Sequence, residues 1–402
     1  MGLTMQEKKK LTVETAKKYC RARKKEKGAI LGVFISQTGY NRKYAIHVLG
    51  KAAEVRTVRF NDSPKERVCL KKQRPRRMRA YRPYYGEDVV QALEKIWETF
   101  DFKCGQLLVP FIRANLDYLA SKSRFGITDE IKAKLAKISS ATVDRKLRHA
   151  REKTSLRGIS TTRYTSNLNK LIPIRVFYDM DERKPGFFCG DTVGHCGWNN
   201  SGQFISTFTM TDIGSGWTEL RALMNKAQRW IKESLDDLET ASPFPVLGFH
   251  SDNGDEFKNH TVYEWCKTHG VEFTRGRPYK KNDNCFAEQK NFTEVRALVG
   301  YGRYEGEEAL GVMKELYKNW CLLINYFYPS LRLKSKDRVD AKVVKRYEAA
   351  KTPCQRLLDS PDIAEPVKLE LRARKRRLDL LELKDNVDIL QKKLLKMSVK
   401  AK

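Results

Sequence analysis

Residues 246–257 read VLGFHSDNGDEF, an apolar run that gives way to acidic and polar residues. An apolar run of this length, bounded by turn residues, is typical of a buried strand. Asp252 follows the run directly, where the carboxyl end of a buried strand opens into a crevice. Residues 187–193 read FFCGDTV, a second apolar run that is interrupted by Asp191. The two stretches therefore predict two strands of one sheet that each bring a carboxylate to a crevice.

A third acid lies on a predicted helix, residues 283–299. Its inward-facing stripe is predicted from steps of three and four residues and comprises Cys285, Glu288, Phe292, Val295 and Val299. A glutamate on that stripe points at the body of the domain, where an unpaired carboxylate is costly. The sequence therefore predicts that Glu288 is either paired or bound to a cation.

Three carboxylates that converge without a cationic partner are the hard oxygen ligands that Mg²⁺ or Mn²⁺ requires. Two such ions, about 3.5–4 Å apart, stabilise the attacking and leaving oxygens of a displacement at phosphorus. We therefore expect Asp191, Asp252 and Glu288 to be catalytic and metal-binding residues. Buried ion pairs with nearby Lys or Arg are the alternative. His195 and His250 flank the first two acids and either tune the site or serve as structural histidines.

The surrounding pattern is that of a mixed α/β domain. Strands are predicted at 187–193, 203–211, 217–223, 245–250 and 271–274, and helices at 225–238, 257–269, 283–299 and 305–327. The first three strands, separated by short turn signals, are expected to be antiparallel. The alternation of helix and strand that follows predicts that the remaining strands complete a mixed five-stranded sheet.

The net charge of +30, from 79 Lys and Arg against 49 Asp and Glu, predicts a polyanionic partner, with nucleic acid ahead of an anionic membrane. The longest apolar stretch, residues 320–328, is too short to span a bilayer, and the N-terminus lacks the apolar segment of a secretory signal. The nine cysteines form no closely spaced pairs, which favours reduced thiols. We therefore expect a cytoplasmic protein rather than a membrane or secreted one.

Two helical segments are expected to bind DNA. In the first, residues 1–55, a helix at 24–37 is followed by a break at Gly39 and a second helix with basic and aromatic residues near its start, the layout of a helix-turn-helix. An ordinary three-helix bundle is the alternative. In the second, residues 86–152, the last helix (141–150) presents basic residues as a second recognition helix. The candidate contacts are Arg42, Lys43, Tyr44, Arg145, Lys146 and Arg148.

Two basic stretches add further candidates. Residues 56–85 carry a charge run without apolar periodicity, which predicts an extended linker that lies along DNA phosphates, a merely solvated tail being the alternative. The loop that precedes the Glu288 helix alternates basic residues with Gly, Pro and an aromatic, a composition suited to phosphates and a splayed base. The candidates are Arg74, Arg76, Arg77, Arg79, Arg275, Arg277, Tyr279, Lys280 and Lys281.

Three segments together resemble a known catalytic domain: GDTVGH at 190–195, SDNGDEF at 251–257 and NCFAEQKN at 284–291. They are similar to the integrase catalytic core, the DDE recombinase domain that retroviral integrases share with many bacterial insertion-sequence transposases. The 35 residues between Asp252 and Glu288 match the D,D-35-E interval of that family. The resemblance covers residues 186–327, and the helical N-terminal part resembles the helix-turn-helix arms of insertion-sequence transposases.

The resemblance implies an RNase H-like fold in which the three acids bind two Mg²⁺ or Mn²⁺ ions. It implies a bacterial, nucleoid-associated transposase that cuts transposon ends with water and joins the freed 3′-hydroxyls to target DNA by transesterification. Double-stranded DNA and further copies of the chain, as a dimer or larger assembly, are the implied partners. The sequence lacks the His-His-Cys-Cys zinc unit of retroviral integrases, and Phe292 and Val295 replace residues that are often basic there. Lys290 and Arg296 are therefore the candidates for DNA contact on this helix.

The predicted fold class is multidomain, with helical helix-turn-helix domains, an RNase H-like core and a helical tail. The segments are 1–55, a basic linker at 56–85, 86–152, a second linker at 153–185, the core at 186–328, a basic irregular segment at 329–363 and a helix at 364–402. The last helix carries a short heptad seam that either self-associates or docks on the chain's own surface. Besides an active transposase, an inactive transposase-derived DNA-binding protein and an RNase H-fold nuclease fit the pattern.

Overall fold

The computed structural model describes residues 3–52, 56–58, 66–68, 84–101, 103–152, 184–252, 254, 256–257, 259–277, 284–339 and 342–399. The chain forms two compact units, Met1–Pro83 and Tyr84–Lys402. No helix within the described ranges is long and apolar enough to cross a membrane.

The first unit consists of three helices and a short pair of strands. The helices are α1 (Met5–Arg21), α2 (Lys24–Thr38) and α3 (Arg42–Ala52), and the strands are β1 (Arg56–Val58) and β2 (Glu66–Val68). α2 ends at Gly39, whose φ of 69° suits a residue without a Cβ. The predicted helices are confirmed. The prediction of an extended linker is wrong at β1 and β2, which pair with each other as antiparallel strands.

The second unit begins with five helices: α4 (Glu87–Thr99), α5 (Gly105–Ser121), α6 (Asp129–Lys137), α7 (Ser140–Lys146) and α8 (Arg148–Glu152). The predicted single helix over 141–150 is wrong in one respect. Its backbone leaves helical geometry at Leu147, where ψ is 4°, so that two short helices replace it. Leu147 is fully buried, which holds this turn against the core.

A five-stranded mixed sheet forms the centre of the second unit. Its strands are β3 (Phe187–Gly194), β4 (Ser206–Asp212), β5 (Thr218–Leu223), β6 (Gly248–Ser251) and β7 (Glu272–Arg275), in the order β5-β4-β3-β6-β7. β3, β4 and β5 are antiparallel, whereas β6 and β7 run parallel to β3. The predicted mixed sheet is confirmed.

The helices of this core are α9 (Gln228–Ala241), α10 (His260–Thr268), α11 (Cys285–Lys290), α12 (Ala297–Val299) and α13 (Gly306–Tyr326). A π-helical segment, Asn291–Arg296, connects α11 to α12. The wider turn of a π-helix changes which residues share a face. The predicted inward stripe is confirmed at Val295 and Val299, which are buried, and is wrong at two positions. Phe292 is 68% exposed and Glu288 is exposed, while Ala287, outside the predicted stripe, is buried.

The C-terminal part contains β8 (Leu333–Val339), β9 (Lys342–Tyr347), α14 (Pro353–Asp359), α15 (Glu365–Arg377) and α16 (Leu380–Lys396). The prediction of an irregular segment at 329–363 is wrong, because β8 and β9 pair as an antiparallel hairpin. α16 packs along α13 with Leu383, Val387 and Leu394 buried. Of the two predicted uses of the heptad seam, the structure shows docking on the chain's own surface.

A charge cluster around the buried side chain of Lys384 joins the turn after α4 to the C-terminal helix of this unit. Lys384 on α16 is 5% exposed at its side chain and lies 2.9 Å from Asp101. The Tyr328 hydroxyl donates a hydrogen bond of 2.5 Å to the same carboxylate. Because a buried ammonium needs a close anionic partner, this contact holds α16 in place.

Candidate active site

The register of the parallel strands brings the first two acids side by side. Gly190 on β3 pairs with Ser251 on β6. Asp191 directly follows Gly190 and Asp252 directly follows Ser251, so the two acids occupy adjacent positions at the carboxyl end of β6. Neighbouring strands lie about 4.8 Å apart, and in-register residues of parallel strands point to the same face. The predicted convergence of these two acids therefore agrees with the observed sheet.

Asp191 accepts two hydrogen bonds. The backbone N–H of Thr192 donates to Oδ1 at 2.8 Å, and the Asn291 amide donates to Oδ2 at 2.7 Å. Burial and the negative charge of Asp252 raise the pKa of Asp191 well above its ordinary value, and the charge of Glu288 adds to this effect. The three acids therefore repel one another, and this repulsion favours a bound cation.

Two asparagines fix α11 against β3. Asn284, just before α11, donates to the backbone oxygen of Gly190 at 3.2 Å, and Asn291, just after it, contacts Asp191. Ala287 packs against Cys189 between these two contacts. Glu288, next to Ala287, is held on the helix that borders the acid pair, although its own side chain is exposed.

Asp191 and Asp252 fit a hard divalent cation by ligand type and by mutual repulsion. Among the described residues, no three His, Cys, Asp or Glu side chains lie close enough together to hold one metal ion. Glu288 acts on Asp191 through its charge in this conformation, and a shared ion requires its exposed side chain to turn toward the aspartates.

Glu256 is a further acid near this site, and the sequence analysis did not identify it as a candidate. Its Oε1 accepts hydrogen bonds from the Thr192 hydroxyl at 2.5 Å and from Lys226 Nζ at 2.9 Å. Burial alone would raise the pKa of Glu256, but the charge of Lys226 and these hydrogen bonds hold it below its ordinary value. A Cβ at Gly254 would lie 2.7 Å from Glu256 Oε2 and 3.0 Å from Asp252 Oδ1, so glycine lets both carboxylates approach this turn. The motif DNG-x-E-F at 252–257 is the feature of the sequence that could have identified Glu256.

Comparison with known proteins shows the family to which the chain belongs. Residues 181–281 match the integrase core domain family (rve), a span that includes Asp191 and Asp252 and ends before Glu288. The "Uncharacterized protein y4rM" of Sinorhizobium fredii (strain NBRC 101917 / NGR234) is 36% identical over 346 residues, which cover 86% of this chain and 92% of y4rM. The chain belongs to the y4rM family. The crystal structure of the catalytic core domain of BIV integrase aligns with a TM-score of 0.28 and 16% identity, over 48% of this chain and 99% of that one.

An integrase core in a y4rM-family chain indicates a polynucleotidyl transferase, since integrase core domains catalyse such transfers and generally use divalent metal ions. The mixed sheet with antiparallel β3, β4 and β5 and parallel β6 and β7 is the RNase H-like arrangement that the sequence predicted.

His195 is a structural residue in this y4rM-family core. It is fully buried, and its Nε2 shares a hydrogen bond of 2.7 Å with the Thr207 hydroxyl, which in turn lies 2.6 Å from the Tyr317 hydroxyl. Burial lowers the pKa of His195 to about 3, so its imidazole is neutral. His250 lies in the sheet with its Nδ1 2.9 Å from the Thr274 hydroxyl. Both histidines therefore bond to threonine hydroxyls of neighbouring strands, which fits the structural role rather than the tuning role among the two predicted.

Three predicted DNA contacts near Glu288 are engaged inside the protein. Arg275 on β7 is only 4% exposed. Arg296 donates to the backbone oxygens of Gly194 at 3.0 Å and Gly300 at 3.2 Å, and Lys290 pairs with Glu294 at 3.2 Å. The prediction that Arg275 and Arg296 face a duplex is therefore wrong, because Arg275 is buried and the Arg296 guanidinium is bonded to backbone oxygens.

The remaining candidates divide by exposure. Those on α3, on α7, at the start of α8 and at the end of β7 are exposed: Arg42, Lys43, Tyr44, Arg145, Arg148 and Arg277. Lys146 is partly buried and donates to the backbone oxygen of Tyr85 at 2.9 Å, which corrects its prediction as a solvent-facing contact. The others lie outside the described residues: Arg74, Arg76, Arg77, Arg79, Tyr279, Lys280 and Lys281.

Proposed function

We propose that this protein is a DDE transposase that cuts the ends of a mobile DNA element and joins the freed 3′-hydroxyls to target DNA. The observation that carries the proposal is the in-register placement of Asp191 and Asp252 on neighbouring parallel strands, within a span that matches the integrase core domain family. Glu288, on the helix fixed to the same strand, is proposed as the third acid.

In this proposal Asp191, Asp252 and Glu288 hold two Mg²⁺ or Mn²⁺ ions. The ions supply activation of the attacking oxygen and stabilisation of the leaving oxygen. Thr192 and Asn291 orient Asp191 by hydrogen bonds. Glu256, which is paired with Lys226, accepts a hydrogen bond from the Thr192 hydroxyl and so holds Thr192 in place.

DNA recognition is assigned to the two helical regions. Arg42, Lys43 and Tyr44 are exposed on α3, and Arg145 and Arg148 are exposed at the end of the second helical region. With a net charge of +30, these surfaces suit double-stranded DNA, and binding is expected to weaken steeply with salt. We further propose that two or more copies of the chain hold two element ends together.

A strand-transfer assay tests the proposal. With Mg²⁺ and duplexes that carry the ends of the element, wild-type protein is expected to release 3′-hydroxyl ends and join them to plasmid DNA. Asp252→Asn and Glu288→Gln are expected to lose at least about 100-fold in rate, since each removes several kcal/mol of transition-state stabilisation. Glu233→Gln, an exposed glutamate on α9, is the control and should retain the wild-type rate.

The outcomes separate the candidate functions. Joining that survives both acid substitutions would contradict the metal assignment. Duplex binding without cutting or joining by the wild type would indicate an inactive DNA-binding protein. Cutting without joining would indicate a nuclease.

A further inference from the structure

Three exposed aromatic side chains lie on the segments that follow Asp191 and Glu288 in the chain, and none of the contacts above uses them as partners for the acids. Between residues 184 and 332, the large hydrophobic side chains that are exposed in the described ranges are Trp198 (92%), Phe292 (68%) and Tyr301 (45%). All three are aromatic and none is aliphatic. We call Trp198, Phe292 and Tyr301 the aromatic strip.

Trp198 is held out on an immobilised loop. Arg303 donates to the backbone oxygens of Cys196 at 3.3 Å, Ser201 at 2.7 Å and Gln203 at 3.4 Å, and also to that of Asn199. The Arg303 side chain is only 13% exposed and its charge is paired with Glu305. The backbone of the loop is therefore held in place by Arg303, so it loses little further conformational entropy when a partner binds.

Backbone and arginine contacts connect the other two aromatics to the same loop. Arg296 donates to the backbone oxygen of Gly194, where the loop begins, and its guanidinium lies 4.8 Å from the centre of the Tyr301 ring. Phe292 lies on the same π-helical segment as Arg296. The three residues of the aromatic strip therefore lie on segments that Arg296 and Arg303 connect to one another.

The strip lies at the end of the strand that carries Asp191. Gly194, the last residue of β3, is three residues beyond Asp191, which corresponds to about 10 Å along a strand. The Tyr301 ring lies against Arg296, whose guanidinium is engaged with backbone oxygens, and the net charge of +30 of the whole chain favours a polyanionic ligand. Exposed flat rings in a basic environment are the combination on which the bases of single-stranded DNA stack without regard to sequence.

We propose that the aromatic strip binds unpaired bases of single-stranded DNA next to the reacting end. This inference rests on the proposed function for the identity of the polymer, and it adds a residue set that positions the substrate strand. Base stacking on the strip holds apart the strands of the element end, so that the strand to be cut reaches the acids.

Tryptophan emission of the full-length protein tests the inference. All six tryptophans lie within the described ranges, and Trp198 is the exposed one among them, so it dominates the emission that is accessible to a quencher in solution. Titration with a single-stranded thymidine oligonucleotide is expected to quench this emission with saturation. Trp198→Ala should remove the quenched component.

Affinity measurements with variants complete the test. Trp198→Ala, Phe292→Ala and Tyr301→Ala are each expected to weaken binding of the thymidine oligonucleotide about 5- to 100-fold, whereas Trp198→Phe retains a stacking ring and should restore most of it. Ile389→Ala removes a side chain on α16 that is 64% exposed and serves as the control that should bind as the wild type does.

The results distinguish this inference from the proposed function. Alanine variants that bind the oligonucleotide as tightly as the wild type would overturn the inference, even if the wild type joins DNA. Quenching and weakened binding without any joining would support the strip and contradict the transposase. A change in the mass of the DNA-free assembly in Trp198→Ala, with no effect on the oligonucleotide, would show that the strip contacts a second copy instead and would also overturn the inference.

Discussion

His195 makes the stability of the second unit depend on pH. The imidazole is fully buried beside Thr207, and burial lowers its pKa from 6.5 to about 3. In the unfolded chain the same group regains its ordinary pKa, so below pH 6.5 the unfolded state binds a proton that the folded state does not. The stability that the neutral histidine contributes is therefore complete above pH 6.5 and is lost as the pH falls toward 3.

The expected magnitude follows from these two values. Each pH unit in this window costs about 1.4 kcal/mol for a group that is protonated only in the unfolded state. Lowering the pH from 6.5 to 5 should therefore reduce the free energy of unfolding by about 2 kcal/mol through His195 alone. For a domain that is stable by about 5–15 kcal/mol, this is a measurable share.

Urea titrations between pH 5 and 7.5, followed by tryptophan emission, provide the assay. All six tryptophans belong to the second unit, so the signal reports on that unit. His195→Gln keeps a group that can hydrogen-bond Thr207 but does not titrate, so its free energy of unfolding should fall by about 2 kcal/mol less than that of the wild type between pH 6.5 and 5. His260→Gln replaces an exposed histidine and should leave the slope as in the wild type. An unchanged slope in His195→Gln would refute the reasoning.

Three further predictions follow from other contacts. Asn291→Asp replaces the donor at 2.7 Å from Asp191 with a carboxylate, and the added repulsion should shift the acid limb of the joining activity to higher pH, as a pH–rate profile would show. Lys384→Met leaves the partly exposed Asp101 carboxylate with the Tyr328 hydroxyl as its donor and should lower the free energy of unfolding by about 1–3 kcal/mol in denaturant titrations, with Lys384→Arg less affected. Neutralising Arg145 and Arg148 should weaken duplex binding and reduce the salt slope by about one per residue, so a salt slope that does not change would argue against contact with phosphates there.

The central sheet could be predicted because its strands are apolar runs bounded by turn signals. Asp191 and Asp252 were found for the same reason, since a carboxylate within or at the end of an apolar strand departs from the pattern. Their adjacency depends on the register between β3 and β6, which only the structure supplies.

The Glu288 helix shows where periodicity fails. A uniform step of 3.6 residues assigned Phe292 to the inner face, whereas the π-helical segment turns it outward. Nothing in the residue types of 291–296 distinguishes a π-helix from an α-helix. The contact of Asn291 with Asp191 was missed for the same reason, because an asparagine on a helix carries no sign of its distant partner.

The sequence locates the basic residues but does not show which of them are exposed and available to contact DNA. Arg275 and Arg296 have the same residue type as Arg145, yet they are directed to the interior, where backbone oxygens or neighbouring strands surround them. The sequence does not predict the β8–β9 hairpin, because both strands are rich in charged residues and lack the alternating apolar residues that mark a strand. Burial of a charged side chain is a property of tertiary packing, so local composition cannot reveal it.

The proposed chemistry requires Asp191, Asp252 and Glu288 to share divalent cations. Anomalous diffraction from crystals of the protein bound to a DNA end and soaked in Mn²⁺ measures this directly. We predict two manganese peaks about 3.5–4 Å apart, both bonded to oxygens of Asp191 or Asp252, with the Glu288 side chain turned inward to bind one of them. Manganese absent from the aspartates, or Glu288 still directed to solvent with both ions bound, would contradict the assignment.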